Sequence, residues 1–320
     1  MSVPTPLVSV ITPAWNEARN LPALYERLRA ALTTADLAWE WIIVDDHSGD
    51  TTFDAVRDLA ARDGRVRGVR LAGNVGSHAA IACGLDEAQG DAAVVLAADL
   101  QDPPEEIPAL LGRWRSGAQV VWAARRRIPG ERWEGSGFSL LYYWLMRRVV
   151  GMRQMPAAGA DFFLVDRVVI DAFRHLRERH TSVLALITWL GFRQDQVEYD
   201  KQPRLHGTSG WSMRKKLKLL LDSITGFSDL PVTACWTVGL LLMCAGFLLG
   251  VAGVSGFAWG VLAPAHVVLL GAIGGASGVA LVMLGIVGEY VWRALDEARQ
   301  RPRYFIESRA PGVDRAPAQR

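Results

Sequence analysis

The sequence predicts an α/β fold with a mostly parallel sheet, followed by a basic amphipathic helix and two apolar membrane-spanning helices. Three observations lead to this prediction. Short apolar runs alternate with helical segments through the first half of the 320-residue chain. Several of these runs end on acidic or polar side chains. Two long stretches near the C-terminus contain no Asp, Glu, Lys or Arg.

The alternation of β and α segments with short connections is typical of a parallel sheet covered by helices on both faces. No GxGxxG follows the first strand and no GxxxxGK[ST] occurs in the chain, so neither the dinucleotide nor the P-loop fingerprint is present. Strands are expected at 7–13, 39–44, 66–71, 92–97, 119–124 and 160–165, and helices at 20–32, 51–62, 171–190 and in the stretch that ends at 88.

The stretch from Val94 to Glu105 is where the predicted sheet meets its ligand crevice. It begins as a buried apolar strand and then reaches Asp99, Gln101 and Asp102. Such sheets bind ligands at the carboxyl ends of their central strands. Oxygen ligands at this point suit a hard cation that carries phosphates, Mg²⁺ or Mn²⁺. Asp102 has an alternative role as a cap of the helix that begins near Pro103.

Composition excludes several classes of function. A net charge of +2 gives no global argument for nucleic-acid binding. Cys83, Cys235 and Cys244 show neither a zinc-type spacing nor a disulfide framework. No basic region followed by an apolar signal segment is visible at the N-terminus, so the first domain is expected in the cytoplasm.

The membrane segments follow the α/β half. Residues 212–225 place basic and apolar side chains at helical spacing, which is typical of a helix on a membrane surface. Residues 232–254 and 266–287 are each about 22 residues long, enough to span a bilayer. Lys and Arg crowd both outer flanks, which predicts that the link 255–265 is outside and both flanks are cytoplasmic.

The predicted organisation therefore has four parts. They are a cytoplasmic catalytic domain at 1–210, a juxtamembrane segment at 211–230, two spans within 231–290, and a cytoplasmic tail at 291–320 whose end is disordered.

Several sequence blocks then indicate a family. They are Thr12–Glu17, Ile43–Thr51, Asp99–Glu105, Asp161–Phe162, Arg204 with Gly207 and Ser209, Phe227–Pro231, Gly288–Tyr290 and Arg301–Tyr304. In this order, with two spans between the last blocks, the chain resembles family 2 glycosyltransferases of the GT-A fold. The similar branch uses polyprenyl phosphates and includes dolichyl-phosphate mannose synthases and bacterial enzymes that load glucose onto undecaprenyl phosphate.

The resemblance implies a role for each matching residue on the donor side. Asp99 and Gln101 would bind the Mg²⁺ or Mn²⁺ ion that bridges the donor diphosphate, and Asp99 would thereby act in catalysis. Asp45 or Asp46 would reach the uracil or ribose. The residues that would hold the nucleotide sugar are Pro13, Asn16, Glu17, Asp45, Asp46 and Gln101.

On the acceptor side, Asp161 resembles the catalytic acid near the acceptor, as a base or an orienting group. Arg125, Arg204, Ser209 and Lys215 would contact donor or acceptor phosphates. The resemblance implies an inverting transfer, with UDP-glucose as the first choice of donor and undecaprenyl phosphate at the inner membrane as acceptor, for cell-envelope glycans. A flippase partner and a homotetramer are further associations it suggests.

Three residues depart from the family pattern. Ala97 stands where the family usually has a first Asp, Phe163 stands where it has an Arg, and Gly210 stands where a Lys is frequent. These departures keep open a membrane-anchored pseudo-enzyme or scaffold that binds nucleotide or a flippase. A processive polysaccharide synthase is a weaker alternative, because no Gln-x-x-Arg-Trp occurs and two spans make a poor polymer channel.

Overall fold

The computed structural model describes residues 5–34, 37–126, 144–148, 161–176, 178, 182–202, 220, 232–235, 237–242, 244 and 265–311. The chain divides into two compact units, residues 1–220 with 302–320, and residues 221–301. The predicted phosphate contacts Arg204, Ser209 and Lys215 lie outside the described residues. So does the basic segment at 211–230, apart from residue 220.

The first unit is an α/β layer structure. Its strands are β1 Leu7–Ala14, β2 Ala38–Asp45, β3 Val66–Leu71, β4 Ala92–Val95, β5 Val120–Arg125, β6 Phe163–Asp166, β7 Gln194–Tyr199 and β8 Ile306–Ala310. Its helices are α1 Leu21–Thr34, α2 Thr52–Arg62, α3 Ser77–Glu87, α4 Ile107–Arg115, α5 Arg167–His175 and α6 Val183–Trp189, with a 3₁₀ turn at Pro104–Glu106.

The described strands form one sheet in the order β7-β5-β6-β4-β1-β2-β3-β8. The four strands β4, β1, β2 and β3 run parallel, as predicted. The sheet as a whole is mixed, because β6 is antiparallel to both β4 and β5 and β8 is antiparallel to β3. Two antiparallel strands therefore flank the predicted parallel core.

The central strands are buried because helices cover both faces of the sheet. Val8 and Val10 of β1 point to one face and Ile11 to the other, and all three are fully buried. Helix α3 lies very close to β1, since a Cβ atom at Gly84 would fall 2.2 Å from Cγ2 of Ile11. This close packing fixes the position of the loop that precedes α3.

The strand β8 was not predicted. Its residues fall in the segment expected to be a tail, yet they pair with β3, with Val69 opposite Arg309. Two side chains anchor the segment that immediately precedes β8. Arg303 donates to the carbonyls of Leu176 and Glu178, and the Tyr304 hydroxyl donates to Asp86 at 2.6 Å.

The second unit contains the apolar helix α7, Ala265–Ala298, and helical residues at 232–235 and 237–242. By length and composition, α7 is the one helix in the described part that could cross a membrane. Its most apolar window is Gly275–Trp292, with mean hydropathy 1.5 and none of the window buried. The predicted span 266–287 lies inside α7. The predicted span 232–254 is described only in pieces, so two spans are not confirmed.

Candidate functional site

The candidate site lies at the carboxyl edge of the parallel strands. Ala14 at the end of β1 is in register with Asp45 at the end of β2, and Ile11 is in register with Val95 at the end of β4. The loops after these three strands therefore emerge at the same edge. This is where parallel α/β sheets bind their ligands.

The loop after β1 is fastened to the loop after β2. The Asn16 N–H donates to Ser48 Oγ and the Asn16 side-chain oxygen accepts from the Gly49 N–H, both at 2.9 Å. The Glu17 N–H donates to Thr52 Oγ1 at 2.9 Å. Asn16 has a φ of 59°, a left-handed conformation that asparagine tolerates better than most residues. Pro13, at the end of β1, is partly buried.

The carboxylate of Asp46 holds the loop before α3. Its two oxygens accept hydrogen bonds from the N–H groups of Val75 and Gly76, each at 2.8 Å. Gly76 has a φ of +96°, a backbone conformation that side chains rarely permit. Asp46 is buried and fixes this turn.

Asp45 is fully buried and is held by two other groups. Its Oδ1 accepts from the Ser48 N–H at 3.0 Å, and its Oδ2 accepts from Arg70 Nη1 at 2.6 Å. Arg70 also donates to the carbonyl of Ser48 at 3.1 Å. Both carboxylate oxygens of Asp45 are therefore engaged by protein donors, and the residue has no exposed surface.

Asp99 and Gln101 lie in the loop after β4, which ends at Val95 and not at Ala97 as predicted. Asp99 is buried, and its Oδ1 accepts from the Gln101 N–H at 3.1 Å. Leu100 between them has a φ of 61°. The sharp turn brings a buried carboxylate and a partly exposed amide to the crevice edge.

A second segment, residues 199–202, fastens this loop from the side of β7. The Gln202 N–H donates to the Gln101 carbonyl at 2.9 Å, and the Gln101 side-chain amide approaches the Gln202 carbonyl at 3.5 Å. Tyr199 donates its hydroxyl hydrogen to Asp102 Oδ1 at 2.5 Å, and Lys201 Nζ lies 3.7 Å from the same oxygen.

These contacts decide the role of Asp102. The helical turn that follows has no side-chain cap, so the alternative of a helix cap is wrong. Burial raises the pKa of the Asp102 carboxyl. The ammonium of Lys201 and the Tyr199 hydroxyl oppose that shift, whereas the charges of Asp161 and Asp99 add to it. Asp102 therefore belongs to an acidic cluster.

Asp161 precedes β6 at the same edge. Asp161 is exposed, and desolvation by the neighbouring chain raises the pKa of its carboxyl. The charge of Lys201 acts against the shift, and the charge of Asp99 adds to it. The acidic cluster thus consists of Asp99, Asp102 and Asp161, and the ammonium of Lys201 acts as a counter-charge to Asp102 and Asp161.

The remaining predicted positions are distributed around this cluster. Arg125 ends β5 opposite Tyr199 in register and is partly exposed. Ala97 is partly exposed beside the crevice loop. Phe163, where the family has an arginine, is fully buried and packs on Trp122 at 5.3 Å between ring centroids. The aromatic ring of Phe163 is therefore part of the core of the sheet.

The oxygen atoms of Asp99 and Gln101 are suited to bind a hard divalent cation. Among the described residues no three His, Cys, Asp or Glu side chains are grouped so that they could hold a metal ion by themselves. A buried carboxylate and an amide oxygen at a crevice are hard ligands of the type that Mg²⁺ and Mn²⁺ accept when phosphates supply the rest. Asp99 and Gln101 therefore fit a Mg²⁺ or Mn²⁺ ion whose remaining ligands are phosphate oxygens.

Three residues of the site were not predicted as part of it. Tyr199 is the last residue of β7, a strand that was not predicted, and Lys201 follows it. Arg70 is the next-to-last residue of β3 and has no motif around it. Only their position in the sequence could have indicated them, because all three lie at or just after the end of a strand whose carboxyl end is at the edge of the sheet where the site lies.

Comparisons of the sequence with known proteins find related chains. The sequence profile described as Glycosyl transferase family 2 matches residues 9–174. An uncharacterized glycosyltransferase of Synechocystis is 36% identical over 305 residues, covering 93% of this chain and 94% of the relative. An undecaprenyl-phosphate 4-deoxy-4-formamido-L-arabinose transferase of Pseudomonas paraeruginosa is 34% identical over 313 residues, covering 95% and 90%.

A solved structure shares the fold. Glucosyl-3-phosphoglycerate synthase of Mycobacterium tuberculosis, in complex with Mn²⁺, UDP-glucose and phosphoglyceric acid, superposes with a TM-score of 0.51 over 69% of this chain and 79% of its own. The sequence identity is 17%, so this likeness speaks to the fold alone.

Proposed function

Because the chain belongs to glycosyl transferase family 2, we propose that this glycosyltransferase moves a sugar from a nucleoside-diphosphate sugar to a polyprenyl phosphate. UDP-glucose is the first donor to test and undecaprenyl phosphate the first acceptor. The product would be a polyprenyl-phosphate sugar on the cytoplasmic leaflet, for use in cell-envelope glycans.

The observation that carries this proposal is the similarity to undecaprenyl-phosphate sugar transferases over almost the whole chain. The matched length, 95% of the chain, includes the apolar helix α7 as well as the sheet. A soluble acceptor would give no reason for that apolar part. A lipid acceptor explains why the two parts belong to one protein.

On the donor side, we propose that Asp99 and Gln101 hold a divalent cation that neutralises the charge developing on the departing nucleoside diphosphate. The loop contacts of Asn16, Glu17 and Asp46 preorganise the rest of the donor pocket. Preorganised groups stabilise the transition state without reorganising as the sugar leaves.

On the acceptor side, Asp161 and Lys201 are proposed to orient the lipid phosphate. A phosphate is already ionised near neutral pH, so it does not require a strong base to attack the anomeric carbon. Orientation then matters more than proton removal. Lys201 offers a positive charge beside three carboxylates that would otherwise repel the phosphate. Arg125, at the end of β5, is a second cation proposed for the same purpose.

The strand β8 supports a topology with two spans. It pairs with β3, so residues 306–310 must be on the same side of a membrane as the rest of the sheet. The chain between Gln202 and Ile306 then crosses the membrane an even number of times. We propose that helix α7, which is long and apolar enough to cross a membrane, provides one crossing and that residues 232–254 provide the other.

The test is a transfer assay with purified full-length protein in detergent or nanodiscs. Undecaprenyl phosphate and Mg²⁺ or Mn²⁺ are supplied with a panel of UDP- and GDP-sugars, and lipid products are identified by mass spectrometry. Formation of one glycolipid, lost in the Asp161→Asn variant, is the expected result. Absence of a product with every donor, from protein that unfolds cooperatively, would refute the proposal.

The departure at Ala97 favours one second candidate, a membrane-anchored protein that binds nucleotide without turnover. Calorimetry separates the two functions. Nucleotide binding without any glycolipid, unchanged when Ala97→Asp restores the family's carboxylate, would favour the non-catalytic function.

A further inference from the structure

The strand β8 carries two ion pairs, and only one of them leads to the candidate site. Arg309 pairs with Glu87 at 2.9 Å, away from the crevice loops. Glu307, two residues earlier, accepts from Arg70 Nε at 2.9 Å. The same Glu307 oxygen lies 3.5 Å from His47 Nδ1, in the loop after β2.

Arg70 is the centre of this second network. Its guanidinium uses Nε for Glu307, Nη1 for Asp45 and Nη2 for the Ser48 carbonyl. These three partners come from β8, the end of β2 and the loop that follows it. A planar guanidinium with fixed donors holds several acceptors in one geometry, which an ammonium cannot do.

The network continues into the donor pocket. Ser48 donates its N–H to Asp45 Oδ1 and accepts from the Asn16 N–H through its hydroxyl. A change in the orientation of Arg70 would therefore release Asp45 and Ser48 together. Asn16 would then lose one of the contacts that fix the loop after β1.

We propose that Glu307 is a positioning residue of the nucleotide site, which acts by orienting Arg70 so that Arg70 holds Asp45 and Ser48. This rests on the proposed function, since it assumes that the loops after β1 and β2 receive a nucleotide. The strand that follows the apolar helix α7 is then part of the donor-binding apparatus and not only an edge of the sheet.

Arg70 and Asp45 are much less exposed than Glu307. The Arg70 side chain is 20% exposed and Asp45 is completely buried, so water cannot easily replace the guanidinium as the partner of Asp45. Glu307 is 48% exposed, so its contribution to stability is small. Its removal should therefore affect the order of the pocket more than the stability of the fold.

The experiment compares Glu307→Ala, Glu307→Gln and Arg309→Ala in the full-length protein. Arg309→Ala is the matched control, because it removes the neighbouring ion pair of the same strand, which has no contact with Arg70. The first measurement is hydrogen exchange of the peptide that spans residues 45–52, recorded without ligand. The second is calorimetric titration with UDP and with GDP, and the third is the unfolding temperature.

We expect Glu307→Ala to speed exchange of this peptide and to weaken nucleotide binding by about fivefold, the scale of one charge-assisted contact. Glu307→Gln keeps an acceptor and should be intermediate. Arg309→Ala should change neither quantity, while the unfolding temperatures of both alanine variants fall by similar small amounts.

Equal exchange and equal nucleotide affinity in Glu307→Ala and the wild type would overturn the positioning role. The same holds if Arg309→Ala shows identical losses, since β8 would then act only as a structural edge. A wild-type protein that binds neither UDP nor GDP would instead refute the proposed function, and the exchange data would still show whether Glu307 orders the loop.

Discussion

The hydroxyl of Tyr199 lies 2.5 Å from Asp102 Oδ1 and joins the last residue of β7 to the loop that carries Asp99. Asp102 is 1% exposed. Burial, together with the charge of Asp102, raises the pKa of the Tyr199 phenol, so the tyrosine stays protonated and donates the hydrogen bond. The crevice is therefore shaped by two strands that are far apart in sequence.

Removing this hydroxyl provides the first prediction. Tyr199→Phe leaves a buried carboxylate short of one donor, which costs about 1–3 kcal/mol of folding free energy. Transfer activity should also fall, because the loop with Asp99 loses a support. Tyr25→Phe is the control, since Tyr25 makes a similar bond to Asp63 at 2.8 Å. Thermal unfolding should change in both variants and activity only in Tyr199→Phe. Equal activities would contradict the prediction.

The second prediction concerns the proposed cation ligand. Asp99→Asn should reduce transfer by roughly 100-fold or more, the effect of one strong electrostatic contact in a transition state. The matched control is Asp91→Asn, just before the amino end of β4, where the Asp91 carboxylate accepts the Leu7 N–H at 2.8 Å. The measurement is the initial rate of sugar transfer of the Asp99→Asn and Asp91→Asn variants at saturating cation concentration. Near-normal activity of Asp99→Asn would show that this carboxylate only supports the turn.

The third prediction is a pH dependence of stability that comes from His78. Burial lowers the pKa of this imidazole to about 4, below its ordinary value of 6.5. At pH 7.5 the ring is neutral in both the folded and the unfolded chain. Between pH 6.5 and 4 only the unfolded chain takes up the proton, so the stability falls as the pH falls through this window.

From pH 7.5 to pH 5 the loss from His78 should be about 2 kcal/mol. His78→Gln removes this contribution, so its unfolding temperature should decline less than that of the wild type over the same range. Parallel declines in the two proteins would show that the imidazole titrates normally in the folded state.

The fourth prediction tests the topology. Reporters fused at the two ends of the full chain should both respond as cytoplasmic, because β8 and β3 share one sheet and the chain between them must return to its starting side. A phosphatase reporter and a fluorescent reporter, each active on one side only, distinguish the outcomes. Opposite locations of the two ends would exclude an even number of crossings.

Much of the first unit could be predicted from local sequence. The strands β1 to β3 and the helices α1 and α2 were found within two residues of their ends, because long apolar runs and helical periodicity are local signals. The strand β8 was missed, since its five residues alternate between buried and exposed and form a strand only through pairing with β3.

The site was predictable in position and not in its contacts. The location of Asp99 and Asp161 at strand ends follows from the order of apolar runs and acids. The bond between Tyr199 and Asp102 spans 97 residues of sequence, and the pair of Arg70 and Asp45 spans 25. Sequence spacing carries no information about such pairs, because the sheet topology alone brings them together.

The pairing of β8 with β3 has a practical consequence for dissecting this protein. A chain cut before the apolar helix would keep every crevice carboxylate and lose the strand that covers β3. The backbone groups of β3 that pair with β8 would then form an open edge, next to the apolar side chain of Val69, which is only 2% exposed in the intact chain. Open edges of this kind recruit other chains. The sheet unit is therefore expected to aggregate when it is produced without residues 306–310, and any shortened chain should keep these residues.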